Sequence, residues 1–282
     1  MKAFYLLTIC LIYYSAPFSQ IYSGKLVDKN SRITIPYVNI GIVNKNIGTV
    51  SNAKGEFKLE LNSAKENDTL FISCIGYERK EYLISSFINS FGSIDQILIE
   101  LQPKIYELAD VVIKPFGTKI YTLGNFCESN SAYGNAFYSK ELGTEIGILI
   151  KLPDNKNIAF LQNFRFEVGK FTFDKFPVRL NVYDVINGMP NENILREPIF
   201  ININSTDEYI VEMEKYKIIT NGDFFITLEY YRIADGKEGE LVFCAVENEN
   251  NGNGYFRLTS QGSWMPEIVA NTGFSVQIKC EE

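Results

Sequence analysis

The chain has 282 residues, a net charge of −7, and 46% hydrophobic and 14% aromatic content. It contains no histidine, which excludes Ser–His and Cys–His nucleophile pairs and zinc sites built on imidazole. It has no basic patch, so we expect no nucleic-acid partner.

The first twenty residues predict an export signal. Lys2 precedes the apolar run 4–14, and a stretch with Pro17 and Ser19 follows. This run is too short for a stable membrane anchor, so we expect it to be cleaved. The mature chain, from residue 21, is then not expected to span a membrane.

Short strand patterns separated by turn residues fill the next eighty residues. The predicted strands are 22–28, 35–43, 47–51, 56–61, 69–75, 78–84 and 95–101. Residues 85–94 are predicted to be an irregular connection. Seven short strands at this spacing are typical of a β-sandwich.

The sequence GTVSNAKGEFKLEL (48–61) contains Ser51 and Lys54 in the S-x-x-K spacing of some serine hydrolases. That chemistry needs a helix start, where the lysine lies one turn from the serine. Here Gly55 follows at once, and then Phe57, Leu59 and Leu61 alternate with charged residues. The pattern predicts the turn of a β-hairpin rather than a nucleophile.

The turn glycines and core positions of this first part occur in one familiar order. They are Gly24, Val27, Asp28, Pro36, Val38, Ile40, Gly48, Thr49, Asn52, Gly55, Phe57, Leu70, Ile72, Ser73, Gly76 and Tyr77. Residues 21–102 therefore resemble the carboxypeptidase-regulatory-like domain, a transthyretin-like β-sandwich. The resemblance implies an accessory domain without peptidase activity, because the zinc ligands of such peptidases lie in a separate domain. Cys74 and Asn52 depart from the pattern, in which an apolar residue and an aspartate are usual.

Residues 105–115, IYELADVVIKP, are similar to the strand by which this family's domains lead into TonB-dependent outer-membrane receptors. The resemblance implies an exported protein, periplasmic or associated with the outer membrane or cell surface of a Gram-negative bacterium. It also implies that this segment can pair with a TonB-like partner. Too few residues follow for a receptor barrel.

After a linker strand at 103–120, residues 121–282 predict a second, jelly-roll-like β-sandwich. The predicted strands are 145–152, 157–168, 177–185, 198–204, 208–214, 223–231, 240–246, 254–260 and 272–279. Residues 191–197 are predicted to form a single helical turn. The whole chain is therefore predicted to be all-β, with two tandem sandwiches.

Four cysteines follow the signal segment, which permits two disulfides. Cys74 and Cys244 lie in apolar strand patterns and are expected to be buried free thiols. Cys127 and Cys280 have more polar neighbours, and we predict a bridge between them.

Trp264, the only tryptophan, lies in a loop with Gly262 and Pro266. An indole in such a loop can stack on a sugar ring, or it can pack within the sandwich. We name Trp264 as the one candidate ligand-binding residue, with packing as the alternative.

Acidic residues cluster near predicted turns of the second part. They are Asp223, Asp235, Glu238 and Glu240. Oxygen-rich loops can bind Ca²⁺, but no calcium-loop motif is present, so solvated turns are expected and no cofactor is predicted. Paired carboxylates for glycoside hydrolysis are recognisable only in space.

The sequence thus predicts a non-catalytic envelope protein that acts as a protein-interaction or assembly module. One alternative is a carbohydrate-binding module, and a second is a hydrolase that uses carboxylates without histidine. Two or three acidic side chains converging in a deep cleft would favour the hydrolase.

Overall fold

The computed structural model describes residues 21–92, 96–105, 118–127, 133–138, 142–234, 239–247 and 253–281. Strands dominate these ranges. The predicted all-β fold, with sheets packed as sandwiches, is confirmed. In the described ranges, no helix combines the length and apolar character needed to cross a bilayer. The predicted export signal lies outside them.

The first sandwich contains seven strands and one α-helix, close to the predicted pattern. They are β1 (Ile21–Asp28), β2 (Asn39–Ile42), β3 (Gly48–Val50), β4 (Glu56–Glu60), β5 (Thr69–Ser73), β6 (Lys80–Leu83), α1 (Ile84–Phe91) and β7 (Ile97–Leu101). One sheet has the order β4-β1-β7 and the other β3-β2-β5-β6. Strands β1 and β7 are parallel, and the other named pairs are antiparallel.

Alternation builds the core of this sandwich. In β4, Phe57 and Leu59 are buried, whereas the charged residues between them are exposed. These apolar side chains join the cluster that contains Leu26, Ile40 and Leu70. Burying each large apolar side chain contributes about 1.5–3 kcal/mol, so the strict alternation of β4 fixes which face is turned inward.

The predicted hairpin at 48–61 is wrong, because β3 pairs with β2 and β4 pairs with β1. The turn between them instead carries the chain from one sheet to the other. Asn52 Oδ1 accepts from the backbone nitrogens of Lys54 and Glu56. Ser51 is buried, and its Oγ accepts from the backbone nitrogen of Val38 at 2.8 Å. The serine therefore acts in the turn, as the sequence predicted.

The connection at 85–94 was predicted to be irregular, but α1 occupies most of it. Ile84 and Phe87 are buried on one face, and Ile88 and Phe91 pack beside them. This spacing is that of an amphipathic helix. The intervening serines and asparagine, which are weak helix formers, hid the pattern.

The second sandwich contains fifteen strands among the described residues. They are β8 (Thr118–Gly124), β9 (Tyr133–Tyr138), β10 (Glu145–Ile150), β11 (Ile158–Phe171), β12 (Phe176–Ile186), β13 (Met189–Asn193), β14 (Ile199–Ile203), β15 (Glu208–Glu212), β16 (Ile219–Asn221), β17 (Phe224–Glu229), β18 (Glu240–Glu247), β19 (Gly254–Arg257), β20 (Met265–Pro266), β21 (Ala270–Thr272) and β22 (Phe274–Glu281). A short 3-10 helix covers Glu214–Tyr216. The predicted helical turn at 191–197 is wrong, since its first residues belong to β13.

Two sheets face each other across the second core. One has the order β13-β12-β17-β10-β19-β20, with β14 also paired to β12. The other has the order β21-β18-β11-β22-β8, with β9, β15 and β16 at its sides. The chain passes repeatedly from one sheet to the other, and the core between them is rich in phenylalanine. Strand β8 begins within the segment predicted to be a linker and pairs with β22.

The two sandwiches also touch each other. Residues of β2 and β5 that point away from the first core face residues of β12 and the loop after β19. This meeting of two outer sheet faces positions the candidate site.

Candidate functional site: a cleft between the two sandwiches

A row of four charged residues crosses the outer face of the second sandwich. In the strand order β12, β17, β10 and β19, the row reads Arg179, Glu229, Glu145 and Arg257. Strand alternation places them there, because at least one neighbour of each along its strand belongs to the core or packs against it. We call this set the charged row.

Each carboxylate of the charged row has an arginine partner. Arg179 Nη2 lies 2.8 Å from Glu229 Oε2, and Arg257 Nη2 lies 2.5 Å from Glu145 Oε2. Asn181 bridges the carboxylates, because its Nδ2 lies 2.8 Å from Glu229 Oε2 and 2.9 Å from Glu145 Oε1. Both glutamates are fully buried and both arginines nearly so. Two adjacent carboxylates flanked by two guanidiniums thus compensate one another away from water.

The charge state of Glu229 follows from this arrangement. Burial alone raises the pKa of its carboxyl group. The Arg179 and Arg257 guanidiniums and the Asn181 amide outweigh burial and hold the pKa below its ordinary value. Glu229 is therefore ionised at neutral pH, and a carboxylate in this state cannot serve as a general acid.

Arg179 also joins the two sandwiches. Its Nη1 donates to the backbone oxygen of Tyr37 at 2.8 Å, and its Nη2 donates to Asn39 Oδ1 at 2.8 Å. Ser260 Oγ donates to the same oxygen of Asn39 at 3.3 Å. A buried arginine of one sandwich is thus held in part by acceptors of the other.

Small residues let the backbones approach at this contact. A Cβ atom on Gly41 would lie 2.0 Å from the backbone oxygen of Ser260, and one on Gly48 would lie 2.4 Å from it. Side chains at these positions of β2 and β3 would push the sandwiches apart.

Beyond this tight contact the two faces separate and leave a cleft of about 460 Å³. Its floor is the face of β12 and β19 with Arg179, Asn181, Tyr183 and Arg257, and Trp264 lies beside them. The opposite wall comes from β5 and the segment after it, and the end of the cleft from residues 190–195. Glu145 and Glu229 lie on the same face between the two arginines, but both are fully buried and do not line the cleft.

Arg257 is only partly satisfied by the protein. Its Nη2 donates to Glu145 and to the hydroxyl of Tyr183, the latter at 3.2 Å. Its buried Nε donates to no acceptor within the described ranges. Its Nη1 likewise donates to no group in the part of the chain that the structure describes. The guanidinium carbon lies 4.8 Å from the centroid of the Trp264 ring.

Trp264, the candidate ligand-binding residue, thus lines the cleft, but its ring also packs within the protein. The ring centroid lies 6.4 Å from that of Phe225 and 6.1 Å from that of Tyr183. The position of Trp264 is therefore compatible with both interpretations of the sequence, ligand binding and packing within the sandwich. The indole N–H donates to no acceptor among the described residues.

The predicted Cys127–Cys280 disulfide is wrong, because Cys127 is bonded to Cys244 and Cys280 is a buried free thiol. Cys280 pairs in register with Lys119, near the start of β8, whereas Cys127 lies beyond the other end of that strand. The five residue steps of β8 from Lys119 to Gly124 alone span about 17 Å, beyond the reach of a disulfide. Cys74 is free, as expected, but half-buried, and it lines the cleft; the expectation of a free thiol at Cys244 is wrong.

The acidic turn residues do not converge where they are described. Asp223 Oδ1 accepts from the backbone nitrogen of Leu152 at 2.9 Å, and Glu240 pairs with Lys170. Asp235 and Glu238 lie outside the described residues.

Within the described ranges, one group of side chains has the spacing of a metal site: Cys127, Glu167 and Cys244. The disulfide occupies both of its sulfur atoms. The segment 105–115, with its implied TonB-like partner, falls almost wholly outside the described residues.

Sequence reasoning missed the charged row. Each of its residues lies on the polar side of an alternating strand, where charged side chains normally face water. One signal was available: Arg179 and Asn181 are set among the valines and leucine of 178–182, in a strand buried on both faces. The row itself depends on the pairing of four distant strands.

Comparisons with known proteins agree with the first part of this picture. Residues 22–113 match the model of the CarboxypepD_reg-like domain family, which confirms the resemblance predicted for the first sandwich. The whole chain has no match among curated proteins.

Two solved structures are similar at low identity. The cysteine protease and lectin-like domains of Cwp84, a surface layer associated protein of Clostridium difficile, are 10% identical with a TM-score of 0.39, covering 84% of this chain and 45% of that one. The structure of infectious bursal disease virus Gx strain is 7% identical with a TM-score of 0.28, covering 93% of this chain and 63% of that one. This chain thus spans less than two thirds of either, and likenesses of this size carry no functional argument.

Proposed function

We propose, from the CarboxypepD_reg-like domain and the cleft beside it, that this chain is a non-catalytic binding module of the cell envelope. Its ligand is held between the two sandwiches. The observation that carries the proposal is Arg257, a nearly buried guanidinium that lines the cleft and keeps donors without acceptors among the described residues. Buried donors are rarely left unsatisfied, so a ligand that accepts from them gains affinity.

Two features support binding without turnover. The buried carboxylates of Glu145 and Glu229 do converge, since both contact Asn181, but they do not line the cleft and are held by arginines. Burial raises the pKa of the Cys74 thiol, which lines the cleft, to about 11. A thiol in that state is a poor nucleophile at neutral pH. The chain has no histidine, and the carboxylates that line the cleft are those of Glu78 and Glu192, the latter 3.8 Å from Lys104.

The cleft also narrows the choice of partner. A volume of about 460 Å³ is in the range of small-molecule sites and does not match a broad protein interface. A glycan fits such a space directly. An envelope protein, the first expectation from sequence, would have to insert a side chain or a chain end.

Trp264 offers a direct test, because the only tryptophan of the chain lines the cleft. Its emission is measured while the purified protein is titrated with saccharides, amino acids and dipeptides. We expect at least one class to shift the emission saturably.

The Arg79→Ala variant removes a cleft-lining guanidinium that is half-exposed, so the fold is expected to survive. The matched control is Arg165→Ala, at an exposed ion pair with Glu208 on the other sheet. Arg79→Ala should weaken the emission response and Arg165→Ala should not. If no class moves the emission, the cleft is not a binding site and the proposal fails.

A further inference from the structure

We infer that the ligand of the cleft is an uncharged saccharide of one or two rings. The inference rests on the proposed binding function and adds the chemical class. It follows from the charge balance of the cleft, its free hydrogen-bonding groups and the nature of its walls.

The charges that line the cleft are already compensated. Arg179 and Arg257 pair with Glu229 and Glu145 of the charged row. Arg79 pairs with Glu81 at 2.9 Å, and Lys104 lies 3.8 Å from Glu192.

No cation among the described lining residues is therefore left to select an anion. Glu78, in contrast, lines the cleft without an ion-pair partner in the described ranges. A carboxylate or phosphate brought into the cleft would meet the carboxylate of Glu78 and be repelled. The charge balance thus favours a neutral ligand.

The free groups of the cleft suit hydroxyls. Arg257 Nη1 and the indole N–H of Trp264 are donors without protein acceptors in the described chain. Gln261 donates through Nε2 to Ser73 Oγ at 2.9 Å, and its Oε1 accepts no hydrogen bond from the described residues. Donors and an acceptor thus face the same space. A sugar hydroxyl both donates and accepts, so adjacent hydroxyls can satisfy both kinds of group.

The walls do not suit an extended peptide. Strand β5, with Phe71 and Ser73, is paired on one side with β2 and on the other with β6. Strand β12 is likewise paired on both sides. Their backbone groups are used within the sheets, so a peptide could not add as another strand beside β5 or β12.

Aromatic groups supply the apolar part of the site. The rings of Trp264, Tyr183, Tyr77 and Phe71 line the cleft together with the polar groups. A pyranose combines a ring of C–H groups with a rim of hydroxyls, which matches aromatic surfaces beside hydrogen-bonding side chains.

The test compares ligands that differ in one group. Trp264 emission is titrated with glucose against glucuronate, galactose against galacturonate, and with maltose, cellobiose, lactose and alanyl-alanine. We expect a neutral sugar to bind saturably and its acid to bind about tenfold more weakly or worse, because like charges repel. Arg79→Ala and Gln261→Ala should each weaken sugar binding by about tenfold, whereas Arg165→Ala should leave it unchanged.

The outcomes separate the two proposals. Tighter binding of an acid or of the dipeptide overturns the saccharide inference and leaves the binding function standing. Sugar binding that is unaffected by either cleft variant places the sugar elsewhere and also overturns the inference. An emission that no compound moves overturns both proposals.

Discussion

Arg179 Nη2 lies 2.8 Å from Glu229 Oε2 in its own sheet and 2.8 Å from Asn39 Oδ1 in the other sandwich. One nitrogen thus belongs both to the charged row and to the contact between the sandwiches. The stability of the second sandwich and its docking to the first are therefore linked through this side chain.

Removing the guanidinium of Arg179 should lower the free energy of unfolding strongly. In Arg179→Met, Glu229 stays buried without its partner, and loss of one member of a buried pair costs about 3–5 kcal/mol. Urea unfolding followed by circular dichroism measures this change. Arg165→Met, which breaks the exposed pair with Glu208, should cost less than about 1 kcal/mol. If the two variants lost the same free energy of unfolding, the charged row would not stabilise the contact between the sandwiches.

Close approach at Gly41 gives a second prediction. In Gly41→Ala the new methyl group would meet the backbone oxygen of Ser260, and overpacking of this kind costs about 1–3 kcal/mol. Limited proteolysis of the linker and urea unfolding should both detect loosened docking. Gly169→Ala is the control, because its methyl group would have no contact closer than 3.9 Å. If Gly41→Ala were cleaved at the same rate as the wild-type protein, the close contact at Gly41 would be contradicted.

Glu267 predicts a pH dependence. Burial raises the pKa of its carboxyl group to about 7, from an ordinary value of 4.5. As pH rises between these values the unfolded chain releases its proton first, so stability falls, by about 3 kcal/mol in total. Glu267→Gln should remove this fall and be the more stable protein above about pH 7.

Urea unfolding at about pH 5 and about pH 8 measures the difference between the proteins. Glu60→Gln, at an exposed position of β4, should keep the wild-type profile. If Glu267→Gln also keeps it, the carboxyl group of Glu267 does not titrate as described.

The Cys127–Cys244 bridge closes a loop with a sequence separation of 117 residues. Replacing both cysteines with alanine should cost about 2–4 kcal/mol of stability, mainly by freeing the unfolded chain. Non-reducing peptide mapping identifies the pairing directly, and Cys74→Ala should leave both the map and the bridge intact. Recovery of a peptide that joins Cys127 to Cys280 would contradict the structure.

Local patterns predicted the strands well, because alternation is a local property. The pattern of Val178, Leu180 and Val182 marks the core face of β12 without any knowledge of its neighbours. The same pattern assigns Arg179 to water, which is wrong because another sandwich covers that face. When a distant part of the chain covers the outer face of a strand, the sequence of that strand carries no sign of it.

For the same reason, only part of the candidate site could be predicted from the sequence. Trp264 could be named, since a lone indole between glycine and proline stands out in the sequence. The cleft beside it depends on how two folded units meet. The disulfide was missed because its pairing depends on register: one end of β8 lies near Cys244 and the other near Cys280.

The contact between the sandwiches combines compensated charges and glycine backbone with an aromatic cluster, in which Tyr37 packs against Phe200 and Tyr231. Without the second sandwich, the first would leave Tyr37 uncovered beside Asn39 and Gly41. An amino-terminal half expressed by itself is therefore expected to self-associate more readily than the full chain.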